Sequence, residues 1–320
     1  MSSVIVSDGG SSVTLSCMSP IRRRLGFLAA HLVVALVALV VIGGATRVME
    51  AGLACPDWPL CFGTLLPGRQ MNLQVFLEWF HRLDAFVVGV ALLVMAVVAF
   101  LRRRLLPGWL PSLAIVLVLL VALQGGLGAL TVLDLLPSGI VTAHLAMALT
   151  LVALLSGLTQ RLLHPGGEAA PVWWTPLAGL ALLAVVAQSL LGALMATSWA
   201  AQRCLAAGDG CRWLILHRNA AAPAAGLVLL FVCSALLAGG WSRRQWPYLI
   251  PVAILVTCQV GLGVGTLRLG LSQPLVTVAH QLVAALLVAL LASLLVRRPD
   301  VPFSPMPVVL DESSLEPCHG

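Results

Sequence analysis

His81 and His144 lie 63 residues apart, and so do His217 and His280; the second pair repeats the first at an offset of 136. Each sits in an apolar stretch close to a polar loop. An imidazole in such a stretch is either a hydrogen-bonding link between helices or a functional group. Two at one depth on neighbouring helices suit axial ligation of a haem iron. The haem ring needs an apolar slot, and its propionates prefer a polar boundary. One histidine is readily explained as a link; four in a doubled pattern point to ligation. Zinc fits less well, because its structural sites gather four ligands. Arg82 and Arg218 directly follow two of the histidines and are candidate propionate partners. His31, His164 and His319 have no counterpart in the pattern and are read as incidental.

Glu78 precedes His81 by three residues, so on a helix both share a face. The corresponding position before His217 is Leu214, so only the first half carries an acid there. A carboxylate beside a bound haem could relay protons or stabilise developing positive charge. The plainer reading is an interfacial acid paired with Arg82. Asp84, one turn past His81, reads as structural. Cys55 and Cys61 bracket "PDWPL" in a loop, and Cys204 and Cys211 form a second loop pair. A loop pair is either a disulfide staple or a redox element that exchanges with a partner. Both remain open for Cys55 and Cys61, while Cys204 and Cys211 read as a staple. Cys17, Cys233, Cys258 and Cys318 are assigned no role.

The elements that must hold these groups are set by composition. The 320 residues are 60% hydrophobic and only 9% charged. Soluble domains carry about one quarter charged residues, so a water-soluble fold is excluded. Eight apolar runs are each close to the roughly 20 residues that span a bilayer. They fall near 25–45, 82–101, 110–133, 140–163, 173–197, 214–239, 246–267 and 274–296. The first is long and lacks a small-residue cleavage site, which predicts a retained helix rather than a signal peptide. Residues 1–21 and the Pro-rich tail 299–320 are expected to be disordered.

All eighteen basic residues are arginine, and they cluster at the ends of the runs, which argues against a nucleic-acid partner. Eleven fall on one side, including Arg22 to Arg24, Arg102 to Arg104 and Arg297, and seven on the other. The positive-inside bias makes the first side cytoplasmic, with both termini inside. The cysteine loops then face outward, into an oxidising space that permits disulfides.

The chain also repeats itself. "QGGLGALTVL" from Gln124 matches "QVGLGVGTLRL" from Gln259, and "HRLDAFVVGVALL" matches "HRNAAAPAAGLVLL". "QSLLGAL" from Gln188 echoes the Gln124 segment. The reading is an all-α integral membrane protein built as two tandem four-helix bundles, 22–165 and 166–298, related as parallel repeats. Gly125, Gly126, Gly128, Gly192, Gly261 and Gly263 are expected to permit close helix packing. A parallel-repeat transporter should carry polar residues and broken helices at mid-membrane. Here the polar groups gather at one boundary and Pro223 is the main interruption. A b-type cytochrome that only passes electrons is the stronger rival.

Together the segments "GGATRVMEAGLACPDWPLCFG", "EWFHRL", "QGGLGALTV" with "TAHL", "LHRNAA", and "QVGLGVGTL" with "VAHQ" resemble the haem A synthase family, called CtaA in bacteria. The resemblance spans about Leu25 to Val296, and the cysteine-bearing loop looks like the bacterial form. It implies oxidation of a ring methyl of haem O to the formyl group of haem A through a hydroxylated intermediate. It implies a haem b cofactor on His217 and His280, and substrate haem on His81 and His144. Glu78 matches the family's catalytic acid, and Cys55 and Cys61 its outer-loop cysteines. A haem O synthase (protohaem farnesyltransferase) upstream, a terminal oxidase downstream, an electron partner and a bacterial plasma membrane location are implied with it.

Overall fold

The computed structural model describes residues 3–8, 11–16, 19–197, 212–270 and 272–299. Among these, eight helices are long and apolar enough to cross a membrane. They are α1 (Pro20–Val48), α2 (Leu73–Leu101), α3 (Leu110–Leu133), α4 (Ser138–Leu163), α5 (Trp174–Thr197), α6 (Arg212–Leu237), α7 (Trp246–Arg268) and α8 (Pro274–Leu295). A one-turn helix, Gly240–Arg244, separates α6 from α7. At about 1.5 Å per residue, each span is long enough for a hydrocarbon layer of roughly 30 Å.

The largest boundary difference is at α2, which starts at Leu73 rather than near residue 82. Gln74, Glu78, His81 and Arg82 break the apolar run but not the backbone ladder. The Asn72 side chain accepts a hydrogen bond from Val75 N at 3.0 Å and caps the start. Glu78 and His81 therefore lie well inside a helix, not at its mouth.

A short hairpin lies near the N-terminus. There β1 (Ser3–Asp8) pairs antiparallel with β2 (Ser11–Ser16), with Asp8 opposite Ser11. The β-branched Val4, Ile5, Val6, Val13 and Thr14 favour extended backbone, a preference that the Ser- and Gly-rich composition masks. The tail beyond Pro299 lies outside the described residues, and so does the Cys204–Cys211 pair. Pro299 itself accepts from Gly167 N at 2.9 Å.

Helix contacts close two rings. In one, α1 packs on α2, α2 on α3, α3 on α4 and α4 on α1; in the other, α5, α6, α7 and α8 do the same. The rings join where α8 meets α1 and α4, and where α4 meets α5. One apolar core of buried Leu, Val and Ala runs through both rings. Trp174 anchors it with Phe231 and Trp241, at ring separations of 5.0 and 4.8 Å, and its indole N–H donates to the Leu294 carbonyl at 2.8 Å. Arg22 ties α1 to the last turn of α4 through the carbonyls of Leu162 (3.1 Å) and Arg161 (2.8 Å). Those carbonyls have no partner within their own helix, and the negative end of the dipole favours a cation there.

Candidate functional site

All four histidines lie at one end of the bundle. His81 lies in the third turn of α2 and His280 in the second turn of α8, and each faces the last turns of the preceding helix. A β-carbon at Gly43 of α1 would lie 3.2 Å from Cε1 of His81. The same atom at Gly128 of α3 would lie 3.3 Å from His144, at Gly192 of α5 3.0 Å from His217, and at Gly263 of α7 3.1 Å from His280. Each imidazole thus presents its Cε1 edge to a glycine, at a distance that only the absence of a side chain makes available. Gly128, Gly192 and Gly263 were expected to pack helices; they cradle rings instead. Gly125, Gly126 and Gly261 face open space. Gly43 was missed in the sequence, because its segment lacks the glutamine that marks the other three.

The distance within each pair is the test of what it could hold. The rings of His81 and His144 have centroids 6.4 Å apart, and those of His217 and His280 6.5 Å. A metal–imidazole bond is about 2.0–2.1 Å and the centroid lies about 1.1 Å behind the nitrogen, so two axial ligands of one metal sit roughly 6.3 Å apart. Both pairs match that spacing. Nδ1 of His81, His144 and His280 is buried without a hydrogen-bond partner. The residues fit a haem between each pair.

Three of the rings also touch a glutamine four residues before the cradling glycine. Gln124 Nε2 lies 3.3 Å from His144 Nε2, and Gln259 Nε2 lies 3.4 Å from His280 Nε2. Gln188 Nε2 lies 3.2 Å from His217 Nδ1 and donates to the His217 carbonyl at 2.7 Å. At the fourth position α1 carries Leu39, whose side chain offers the His81 ring no amide.

Glu78 is 5% exposed and faces the cysteine loop. Its Oε2 accepts from Cys55 N at 2.8 Å, and its Oε1 pairs with the Arg82 guanidinium. Arg82 also donates to the carbonyls of Asp57 and Leu60, and to that of Cys55 at 3.4 Å. The expected propionate partner is thus occupied by the loop and by Glu78. Arg218 is exposed and makes no hydrogen bond among the described residues. Both readings of Glu78 meet in this geometry: it is paired with Arg82, and it lies one turn from His81 on the same helix.

Cys55 and Cys61 are joined as a disulfide with Cα atoms 4.8 Å apart, and both are buried against Val75, Met71 and Trp79. A short bridge, Cys61 N to Thr64 O at 3.1 Å and Thr64 N to Cys61 O at 3.2 Å, closes the turn after it. Such a small loop contributes about 2 kcal/mol through the entropy of the unfolded chain. The Cys55→Ser/Cys61→Ser protein should therefore show faster proteolysis between residues 51 and 66. Exchange of the Cys55 amide should also accelerate, because its N–H would be held less firmly on Glu78.

Asp57 turns the loop. Its carboxylate accepts from Gly63 N at 2.8 Å and Phe62 N at 2.6 Å. The Gly63 N–H, helped by that of Phe62, holds its carboxyl below the ordinary value of 3.8. A depressed folded value means the cap stabilises the loop above pH 3.8 and is lost as the pH falls through the lower value. Exchange of the Phe62 and Gly63 amides should accelerate only in that acid range, and at every pH in Asp57→Ala.

The sequence model of the cytochrome oxidase assembly protein family, COX15-CtaA, matches residues 26–292. The heme A synthase of Sphingopyxis alaskensis is 31% identical, over 90% of this chain and 96% of that one. The chain belongs to the haem A synthase family. A second member of the haem A synthase family, from Rhizorhabdus wittichii, is 30% identical over 79% of this chain and 88% of its own. A partial match of another kind is the protoheme farnesyltransferase of Haloarcula marismortui, 34% identical over 41% of this chain and 27% of its own. Every histidine, glycine and loop residue of the site falls inside the matched span of the haem A synthase family.

Proposed function

We propose that the protein is a haem A synthase that oxidises the ring methyl of haem O to a formyl group by way of a hydroxylated intermediate. The observation that carries this is an asymmetry within family membership. Two histidine pairs have the same spacing, and only one has a buried carboxylate beside it.

In this reading His81 and His144 hold the substrate haem, and His217 and His280 hold haem b. When bound, haem b supplies a one-electron redox centre. The protein's own groups do the rest. Glu78 takes up protons that the substrate releases as it is oxidised, from a position fixed by the Cys55 N–H and by Arg82. The disulfide-closed loop covers that carboxylate and limits water. His81 has a cradle but no glutamine, so no side-chain amide has to be displaced when a haem binds to it or leaves it. The parallel relation of halves 22–165 and 166–298, the cytoplasmic termini and the outward cysteine loops belong to the same reading. So do a bacterial plasma membrane location, a haem O synthase that supplies substrate, a terminal oxidase that takes product, and an unidentified electron partner.

The test is to express the protein with a haem O synthase in a host without haem A and to separate the extracted haems. Haem b with haem A, or with its hydroxylated precursor, is the expected result. Haem b alone, with haem O supply confirmed, would favour the electron-transfer cytochrome instead.

A further inference from the structure

We propose that Arg47 and Thr277 form a carboxylate-binding site over the C-terminal histidine pair, and that its ligand is a propionate of the haem held by His217 and His280. This rests on the haem reading above. It places a residue of the first ring over the site of the second.

The position follows from three contacts. Gly44 of α1 packs directly on α8: a β-carbon there would lie 1.6 Å from Oε1 of Gln281. Arg47 is three residues beyond Gly44 and Thr277 four before Gln281. The last turns of α1 and the first turns of α8 are at the same end of the bundle, so the two residues face each other one turn above that contact. The Arg47 guanidinium donates to the Ala196 carbonyl of α5. Ala196 is one turn beyond Gly192, which carries the His217 ring, and Thr277 is one turn from His280 on the same face. Both groups therefore cap the His217–His280 slot at the end where propionates would emerge.

Both groups lack a partner of the kind this ligand supplies. Thr277 Oγ1 is buried with no hydrogen bond. Other helical threonines, among them Thr142, Thr150, Thr159, Thr257 and Thr266, donate to the carbonyl four residues back. Arg47 is partly buried, yet the ion pair found among the described residues is that of Arg82 with Glu78. A guanidinium has five donors, and one carbonyl leaves most of them unused. A half-buried cation without an anion and a buried hydroxyl without an acceptor are both satisfied by one group with two anionic oxygens. The positive end of α8, which begins at Pro274, adds to the attraction.

A carboxylate there could come from the porphyrin or from a fatty acid or lipid headgroup, so the experiment separates the two. Full-length protein carrying His81→Ala and His144→Ala, in nanodiscs, is loaded with haem b or with its dimethyl ester. Release to excess apomyoglobin is then timed. Arg47→Gln should speed release of haem b about 10- to 100-fold, and the near-isosteric Thr277→Val about three- to tenfold. Neither should change release of the ester by more than about twofold. Unchanged release of haem b in both variants would overturn the proposal while leaving the haem reading intact. Equal acceleration for haem b and ester, varying with the anionic lipid content of the disc, would assign the carboxylate to lipid and also overturn it. A parent protein that takes up no haem would remove the haem reading, and this inference with it.

Discussion

Glu78→Ala should leave haem at both histidine pairs and slow product formation by about 100- to 10,000-fold, the range for loss of a general acid or base. Glu78 touches neither ring by hydrogen bond, so the proposed haem ligation does not depend on it. The complication is structural. The carboxylate anchors the loop through Cys55 N and neutralises Arg82, and removing one partner of a buried ion pair costs about 3–5 kcal/mol when the other stays buried. Arg82 keeps its loop carbonyls in the variant, which limits that cost. Glu78→Gln separates the two roles: its amide oxygen can still accept from Cys55 N, but it cannot take a proton. If both variants lose turnover equally while keeping haem, the proton is what matters. If Glu78→Gln works normally and Glu78→Ala fails, Glu78 only holds the loop. Extracted haems and the haem-to-protein ratio, measured together, distinguish these results.

The parts of this site that were legible in the sequence are those fixed by spacing. The 136-residue offset put the four histidines in register, and the apolar runs located all eight spans because a bilayer demands length above all. The start of α2 was not legible. Its first three turns carry Gln74, Glu78, His81 and Arg82, and hydropathy reads polar residues as loop even where Asn72 caps a helix. Arg82 was assigned to a propionate from its position beside His81. Along the chain nothing shows that the loop from Cys55 to Leu60 folds back onto it. The glycines were visible, but their use was not. Whether a bare backbone faces another helix or an imidazole depends on helix rotation, which composition does not encode.

The repeat also concealed an asymmetry. Gln124, Gln188 and Gln259 each stand four residues before a cradling glycine, while Leu39 stands before Gly43. Glu78 has Leu214 as its counterpart. Both departures concern His81. The pair that carries the acid is also the pair with a ring that no glutamine side chain touches. In the proposed division of labour, the half that acts on substrate is the half that departs from the repeat.

The complementary expectation is that His280→Ala empties the C-terminal pair. Removing one of two axial nitrogens costs more than the 10- to 100-fold typical of losing an outer-shell partner, so retention there should fall by more than about 100-fold. The N-terminal pair shares no ligand or cradle with it, and should still bind haem O. Extracts should then contain haem O, little haem b, and little haem A, because the oxidation would have lost its redox partner. Gly263→Ala is the graded control. Its β-carbon would press on His280 Cε1 at 3.1 Å, a contact that a shift of a few tenths of an ångström relieves, so it should weaken haem b without abolishing it. Equal loss of both haems in His280→Ala, with the fold intact, would mean that the pairs are not independent. Full haem b retention would show that His280 is not its ligand, and the division of labour between the two halves would have to be redrawn from His81 and His144 outward.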